Sequence, residues 1–270
     1  MTTTSDTQMS APAQAKTVLL TGAGRGIGRA AALELARSTD MQLLLVSRSD
    51  NALATAEACN AERAGSAQGF AWDVSQGGEA RERVLAALTE APGPVALVHA
   101  AGVLGPTGPF AENSIDAWWQ AMEVNLGGAV RLVHTVLPRM LADKAGRIVL
   151  FAGGGAAYGY PKFSSYGTAK AALVRFTETL AMELGDAGPV VTIIAPGANE
   201  TDMLAEVRKA GGYVRTTVDI SEPCGVVRRL LTEDTRGLNG RFIHVRDEWT
   251  AESAAALSED CFKLRRVDGR

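Results

Sequence analysis

The chain has 270 residues, 46% of them hydrophobic, and a formal net charge of −3 at pH 7. This length and hydrophobic content are enough for the buried core of one large globular domain. The small negative charge and the dispersed Lys and Arg residues exclude a basic stripe for nucleic acid, and no apolar run reaches the roughly 20 residues that cross a bilayer.

Seven short hydrophobic strands are predicted to alternate with five helical stretches. The strands are expected at residues 16–21, 42–47, 68–72, 94–99, 146–152, 189–195 and 241–245, and the helices near 26–38, 50–63, 77–90, 113–141 and 164–186. This alternation predicts an α/β fold, a single-domain Rossmann-type doubly wound parallel sheet with helices on both faces. Ligands of such sheets bind beyond the carboxyl ends of the strands.

Both ends of the chain are expected to extend beyond this domain. Residues 1–15 are rich in Thr, Ser and Ala and lack the regions of a secretory signal, so we expect a disordered tail on a soluble, cytoplasmic protein. The domain is predicted to cover residues 16–250 and the C-terminal extension residues 251–270. The three Cys and three His residues are too scattered for a disulfide framework or a metal site, and no metal is predicted.

A glycine-rich turn joins the first predicted strand to the first helix. Gly22 would allow a tight bend, Gly26 a close approach of the backbone to a pyrophosphate, and Gly28 close packing of the helix on the sheet. The helix N-terminus would offer free N–H groups to the anion. A glycine-rich loop without a ligand is the alternative interpretation of this motif alone.

The end of the second strand indicates which nicotinamide cofactor is used. No carboxylate follows this strand, where an acidic residue would bind a free ribose 2′-hydroxyl. Arg48 stands there instead, and Arg25 lies in the glycine turn; both guanidinium groups can bind a 2′-phosphate. Each arginine alone is typical of a solvated surface, but the pair favours NADPH/NADP over NADH/NAD.

Tyr166 and Lys170 are four residues apart on a predicted helix, so their side chains project from the same face. A neighbouring ammonium favours the phenolate and is expected to lower the pKa of the tyrosine. Such a tyrosine can give a proton to a carbonyl oxygen or take one from an alcohol. The alternative is an ordinary pair on a helix surface.

Together these motifs resemble the short-chain dehydrogenase/reductase family. The glycines follow a G-x-x-x-G-x-G pattern after Thr21, and the resemblance extends from about residue 16 to residue 245. Its later landmarks, in the family's order, are Asp73-Val74, His99-Ala100-Ala101-Gly102, Asn125, Tyr166 with Lys170, and Pro196-Gly197 followed by Thr201.

The resemblance implies an oxidoreductase that interconverts a carbonyl and a secondary alcohol, assembled as a homotetramer or homodimer. It implies that Tyr166 and Lys170 are catalytic, that Lys170 also holds the nicotinamide ribose, and that Asn125 anchors a water linking the lysine to solvent. Asp73 would contact adenine, although a strand-end Asp can also simply cap the next helix. Further cofactor contacts are implied for Ile27, Val74, Ala101, Gly102, Tyr166, Pro196, Gly197 and Thr201.

The sequence departs from the family at a catalytic position. Related enzymes carry a serine that polarises the carbonyl, but Gly153 stands thirteen residues before Tyr166. Ser164 and Ser165 are interpreted as helix caps, so the backbone N–H groups of Gly153–Gly155 are the hypothetical replacement donors. His99 and Ala100 replace the family's asparagines, and His99 is expected to be a buried, hydrogen-bonded residue without a catalytic role.

Substrate specificity is expected in residues 199–220, where Gly211-Gly212 suits a mobile lid. Met203, Leu204 and Tyr213 are candidates for an apolar pocket or for core packing. The sequence does not decide whether Trp249 and Leu264-Arg265-Arg266 cover that pocket or reach a neighbouring subunit. Besides the favoured NADPH-dependent reductase, two functions stay open, an enzyme with a non-redox net reaction and a cofactor-binding protein with weak or no redox activity.

Overall fold

A seven-stranded parallel sheet organises the protein in a computed structural model that describes residues 14–266. Residues 1–13 of the predicted tail and residues 267–270 of the extension lie outside the described residues. Ala15, also assigned to the tail, is buried. The strands follow the order β3-β2-β1-β4-β5-β6-β7, with bounds β1 Thr17–Thr21, β2 Gln42–Ser47, β3 Ala67–Ala71, β4 Val95–His99, β5 Arg147–Phe151, β6 Val190–Ala195 and β7 Phe242–His244.

Helices cover both faces of this sheet, which confirms the predicted fold class. Within the described range they are α1 Gly26–Ser38, α2 Asn51–Glu62, α3 Glu79–Glu90, α4 Ile115–Met122, α5 Gly128–Ala142, α6 Ser164–Leu184, α7 Asp202–Lys209, α8 Ser221–Thr232 and α9 Ala251–Ala255. None of these helices combines the length and apolarity that crossing a membrane requires.

Alternate residues of each strand supply two separate cores, because successive side chains of a strand point to opposite faces. On one face, Leu20, Leu45 and Val98 pack with α1, α2 and α8. On the other face, Leu19, Leu44 and Leu97 pack with α3, α5 and α6. Both faces being buried explains why the strands read as continuous hydrophobic runs.

The helix predicted over residues 113–141 is interrupted. After α4 the chain makes a π-helical turn, Glu123–Gly127, before α5 begins. Both donor hydrogens of the buried Asn125 side chain are used inside the protein, on the carbonyl oxygens of Val103 (2.8 Å) and Ala121 (2.9 Å). These two bonds therefore connect the π turn to the segment that follows β4. π-helical turns of this kind frequently occur at functional sites.

The C-terminal extension packs on α6 and β7. Glu178 of α6 is buried and accepts two hydrogen bonds from Arg265, at 2.7 and 3.1 Å, and one from Arg175 at 2.6 Å. These bonds, led by those of Arg265, lower the pKa of Glu178. Trp249 is buried beneath the Arg229 guanidinium, 3.9 Å from the ring centroid. The extension thus forms part of the fold, and Leu264, Arg265 and Arg266 line no part of the cleft described below.

Candidate active site

A cleft of about 540 Å³ opens beyond the carboxyl ends of the central strands. One wall is the segment after β5 together with α6, and the opposite wall is formed by residues 199–220, which contain α7. This segment, predicted to be a mobile lid, is called the lid below. Among the predicted site residues, the cleft is lined by Ile27, Gly102, Tyr166, Lys170, Pro196, Gly197 and Thr201. Met203, Leu204 and Tyr213 also line it, with Leu204 buried and Tyr213 exposed.

The glycine turn connects β1 to α1 next to this cleft, and Ile27 is the residue of the motif that lines it. Gly22 has a φ of +72°, and a β-carbon there would lie 2.6 Å from the backbone of Ala100 and Ala101 at the end of β4. A β-carbon on Gly28 would overlap the carbonyl of Gly22. Any side chain at either position would therefore clash with the backbone of the turn. This steric restriction explains why glycine occupies both positions.

The N-terminus of α1 is free to bind an anion. Its cap residue, Arg25, makes no side-chain capping bond, and the first turn carries no acidic residue. The first N–H groups of a helix have no intrahelical partner and carry a partial positive charge. These features fit the phosphate group that the motif predicts at this position.

The two predicted phosphate-binding arginines differ in their surroundings. The Arg25 guanidinium makes an exposed ion pair with Asp202 of α7, 3.0 Å away, so it contacts the lid. Arg48 is exposed and has no ion-pair or hydrogen-bond partner within residues 14–266. Arg48 follows Ser47, whose Oγ would lie 2.9 Å from a β-carbon on Gly24 of the glycine turn.

Asp73 and Val74 lie after β3. The Asp73 Oδ1 accepts hydrogen bonds from the Ser75 amide (2.9 Å) and hydroxyl (2.7 Å), which form an Asx turn. Asp73 does not cap the next helix, because α3 begins at Glu79 with Gly78 as its cap residue. Val74 is buried and faces Gly128, the first residue of α5. Val74 therefore fixes α5 against this edge of the sheet.

Tyr166 and Lys170 lie side by side on α6, and both are buried. The Lys170 Nζ is 5.7 Å from the centroid of the Tyr166 ring and donates a hydrogen bond to the Phe151 carbonyl at 2.9 Å. The expected lowering of the tyrosine pKa is wrong for this state. Burial, with a smaller contribution from Tyr160, raises the pKa of Tyr166 to about 12, and burial lowers the pKa of Lys170 to about 8. Burial raises the pKa of the phenol because it removes the phenolate from water, and it lowers the pKa of the ammonium because it removes that charge from water.

Gly102 lies between the lysine and the π turn. A β-carbon at this glycine would lie 2.8 Å from the Asn125 Oδ1 and 3.6 Å from the Lys170 Nζ. The same Oδ1 accepts a hydrogen bond from the Val103 amide at 3.1 Å. Asn125 therefore holds the segment after β4 beside Lys170. Ala101, the preceding residue, packs against the core.

The phenol of Tyr166 fills the space where a side chain of residue 153 would lie. A β-carbon on Gly153 would overlap the Tyr166 Oη and would lie 2.9 Å from Cζ and 3.1 Å from Cε1. The hydroxyl of Tyr166 has no hydrogen-bond partner in the described part of the chain. Gly153 is thus required by the position of the phenol, in addition to lacking the serine hydroxyl.

Two expectations about nearby polar residues are wrong in detail. Ser164 and Ser165 do not cap α6, because Ser164 accepts a hydrogen bond from the Trp118 indole at 3.0 Å and Ser165 bonds the Leu104 carbonyl at 3.4 Å. His99 is buried as expected, but only its Nδ1 is bonded, to the Thr21 hydroxyl at 2.8 Å. Its Nε2 has no partner among the described residues, and burial lowers its pKa to about 3.

The lid begins on the glycine turn. Thr201 caps α7 and lies above Gly26, whose β-carbon would be 3.5 Å from the threonine methyl group. Gly197 has a φ of +68° and faces Val218, so the two ends of the lid meet. The predicted glycine pair terminates α7, since the Gly211 amide bonds the Arg208 carbonyl and the Gly212 amide bonds the Val207 carbonyl.

Sequence reasoning missed one prominent side chain of the cleft. Tyr160 lines it beside Tyr166, with its ring stacked on the buried Phe163 at a centroid distance of 4.6 Å. The sequence signal was the Gly153–Gly155 run, since consecutive glycines leave space for rings to pack on the backbone. That signal does not identify which ring fills the space.

A parallel sheet of this order, with a glycine turn and a buried Tyr-Lys pair at the carboxyl ends of its strands, defines a nucleotide-dependent oxidoreductase of the Rossmann type. The sequence profile of short chain dehydrogenases matches residues 16–211. The chain belongs to the short-chain dehydrogenase/reductase family and is an oxidoreductase of that family.

Individual relatives agree with this assignment. The chain is 34% identical to the short-chain reductase protein NovJ of Streptomyces niveus over 77% of this chain and 78% of the relative. It is 33% identical to the 3-oxoacyl-acyl-carrier-protein reductase FabG of Pseudomonas aeruginosa over 73% and 79%. A solved structure of the actinorhodin polyketide ketoreductase with NADPH covers 85% of this chain and 95% of its own, at 28% identity and a TM-score of 0.77.

Proposed function

We propose that this protein is an NADPH-dependent oxidoreductase that interconverts a carbonyl and a secondary alcohol, with Tyr166 as the proton donor and acceptor. The observation that carries the proposal is the placement of a buried Tyr166 and Lys170 on the wall of a cleft that is also lined by Ile27, which follows the glycine turn in the first turn of α1. A pKa of about 12 keeps this phenol protonated near neutral pH, which suits a proton donor for reduction.

The residues present fit a dinucleotide. The uncapped N-terminus of α1 suits the pyrophosphate, and Arg48 is available for a 2′-phosphate. Ile27, Pro196, Gly197 and Thr201 line the cleft, so they would hold the nicotinamide half. NADPH carried by the related polyketide ketoreductase supports the same cofactor. When bound, NADPH supplies a hydride to the carbonyl carbon.

The protein supplies the proton and the charge that stabilises the resulting phenolate. Tyr166 donates its phenolic proton to the carbonyl oxygen and becomes negatively charged. Lys170, protonated below about pH 8, stabilises that charge and would also hold the nicotinamide ribose hydroxyls. Asn125 acts as a positioning residue; a water that it anchors would use its main chain or the remaining Oδ1 lone pair, since both amide hydrogens are used.

Cofactor absorbance tests the function directly. Stoichiometric loss of NADPH with at least one member of a panel of ketones supports the proposed reduction. Conversion of a substrate without net NADPH oxidation supports the enzyme with a non-redox outcome, and NADPH binding without turnover supports the cofactor-binding protein. Either of the last two results rejects the proposal.

Arg48→Asp is expected to weaken NADPH binding about 10- to 100-fold and to shift the preference towards NADH. The reason is the loss of a charge-assisted hydrogen bond, worth about 1.5–3 kcal/mol, and the new repulsion of the 2′-phosphate. Kd values for NADPH and NADH, measured by fluorescence titration, check this prediction. Arg83→Asp, an equal charge change on α3 at the other end of the sheet, is the matched control. Unchanged NADPH affinity in Arg48→Asp would place the phosphate contact elsewhere.

The rate of carbonyl reduction is expected to be constant at lower pH and to fall as the pH rises through about 8. The pKa of Lys170 is lowered to about 8, so its ammonium is present below that pH and lost above it. Alcohol oxidation is expected to rise with pH, since Tyr166 with its pKa of about 12 must then lose its proton. Measurement of kcat/KM in both directions from about pH 6 to pH 10, at saturating cofactor, checks both trends. A reduction rate that stays flat through pH 8 would contradict the role of the lysine charge.

A further inference from the structure

The cleft contains a second phenol next to that of Tyr166. The ring of Tyr160 covers the consecutive glycines 154 and 155, where β-carbons would lie 3.2 Å from its Cε1 and 2.8 Å from its Cβ, respectively. The phenol of Tyr166 covers Gly153 in the same way. Adjacent Cα atoms are about 3.8 Å apart. The two phenol rings therefore cover neighbouring glycines of one backbone segment.

The Tyr160 ring is held in place by its neighbours. It stacks on Phe163 with an interplanar angle of 21°, and Phe163 is fully buried. Its hydroxyl has no hydrogen-bond partner in residues 14–266, although the residue is half-buried. A fixed ring with an unpaired hydroxyl at a cleft is preorganised to bind a ligand atom.

Other hydroxyl groups near the cleft are less suited to the reacting position. Tyr158 and Tyr213 are 85% and 80% exposed at its rim. Thr201 bonds the Asn199 carbonyl and caps α7, and Thr216 is exposed and accepts a hydrogen bond from Arg246. Ser164 and Ser165 do not line the cleft. This leaves the hydroxyl of Tyr160, a half-buried residue whose ring lies over Gly154 and Gly155, next to Gly153 in the chain.

We propose that the Tyr160 hydroxyl donates the hydrogen bond that polarises the substrate carbonyl, in place of the serine that Gly153 cannot supply. This inference rests on the proposed carbonyl reduction. Tyr160 keeps its proton throughout; the proton that reaches the carbonyl oxygen comes from Tyr166, and the hydride that reaches the carbon comes from NADPH. The glycine run then has a physical purpose, because side chains at 153–155 would displace both phenols.

Tyr160→Phe tests the proposal, since it removes the hydroxyl and keeps the stacked ring. We expect kcat for ketone reduction to fall about 10- to 100-fold, less than for a fully enclosed oxyanion donor because water can enter this open cleft. The NADPH Kd and the thermal midpoint are expected to stay unchanged, as the hydroxyl bonds no protein group. Tyr158→Phe removes an exposed phenol at the rim of the same cleft and serves as the comparison for the loss of a phenol; we expect kcat to fall less in this variant than in Tyr160→Phe. Tyr160→His, a planar ring that retains a donor, should recover part of the loss.

A Tyr160→Phe enzyme with wild-type kcat, or one that loses no more than Tyr158→Phe, would overturn the proposal and favour the backbone N–H groups of the glycine run. If Tyr160→Phe lowers the thermal midpoint, the comparison of Tyr160→His with Tyr160→Phe at matched stability decides; equal rates would count against the donor. A wild type that oxidises no NADPH with any ketone would instead reject the proposed function itself, together with this role of Tyr160.

Discussion

Tyr166→Phe is expected to lower kcat for carbonyl reduction by about 10²- to 10⁴-fold, the contribution typical of a positioned general acid. The substitution removes only the phenolic oxygen that lies against Gly153. This oxygen makes no hydrogen bond within the described residues, so the fold has no reason to weaken. Steady-state kinetics with NADPH and the best ketone, together with the thermal midpoint, check the prediction.

The control for Tyr166→Phe is the binding of cofactor. NADPH should bind the variant with nearly the wild-type Kd, because the substitution leaves the N-terminus of α1, Arg48 and Lys170 unchanged. A variant that binds NADPH normally and turns over at the wild-type rate would refute the assignment of Tyr166. A variant that loses both binding and stability would show damage to the cleft, and the Tyr158→Phe variant then provides the baseline for removal of a phenol.

Gly153→Ala is expected to lower kcat about 100-fold, even though alanine adds no polar group. Its β-carbon overlaps the Tyr166 Oη, so the phenol must move by roughly 1 Å, a displacement that can cost two orders of magnitude in rate. The effect should appear mainly in kcat, with a smaller change in the NADPH Kd. A crystal structure of the variant would show the displaced ring directly.

Gly153→Ser carries the same β-carbon and adds the hydroxyl that the family uses. The ratio of kcat for Gly153→Ser to kcat for Gly153→Ala therefore measures the effect of the hydroxyl alone. We expect the serine variant to be the faster of the two. Gly159→Ala, whose β-carbon meets no atom within 4 Å, is the matched control and should behave like the wild type. An alanine variant as fast as the wild type would show that the phenol does not need its position over Gly153.

Most of the sheet could be predicted from local patterns. The runs at Val18–Leu20 and Ile148–Leu150 are buried on both faces, so hydrophobicity alone marks them as strands. The break before α5 could not be predicted, because the Asn125 side chain at the π turn bonds Val103, a residue 22 positions earlier in the chain. Helix α8 was also missed; its apolar residues acquire their role only by packing against α1.

The site also combines features that the local sequence predicts with features that depend on tertiary contacts. The spacing of Tyr166 and Lys170 is a property of one helix, and it was sufficient to place both side chains on one face. The pKa values were not predictable from that spacing, since burial acts on both groups and the Lys170 ammonium bonds the Phe151 carbonyl, a group from a different element. The partner of Arg25 likewise comes from the lid, 177 residues later in the chain.

The amino-acid sequence by itself determined the strands and helices whose alternation implies a parallel sheet, the glycine turn and the Tyr-Lys helix, because each of these elements depends on residues that are neighbours along the chain. Only the tertiary structure decided how Tyr166 and Tyr160 fill the space above Gly153–Gly155 and which arginine is available for a phosphate. Those features are contacts between segments brought together by packing of the helices on the sheet, and the fit of a side chain into such a space depends on three-dimensional distances that no local pattern encodes.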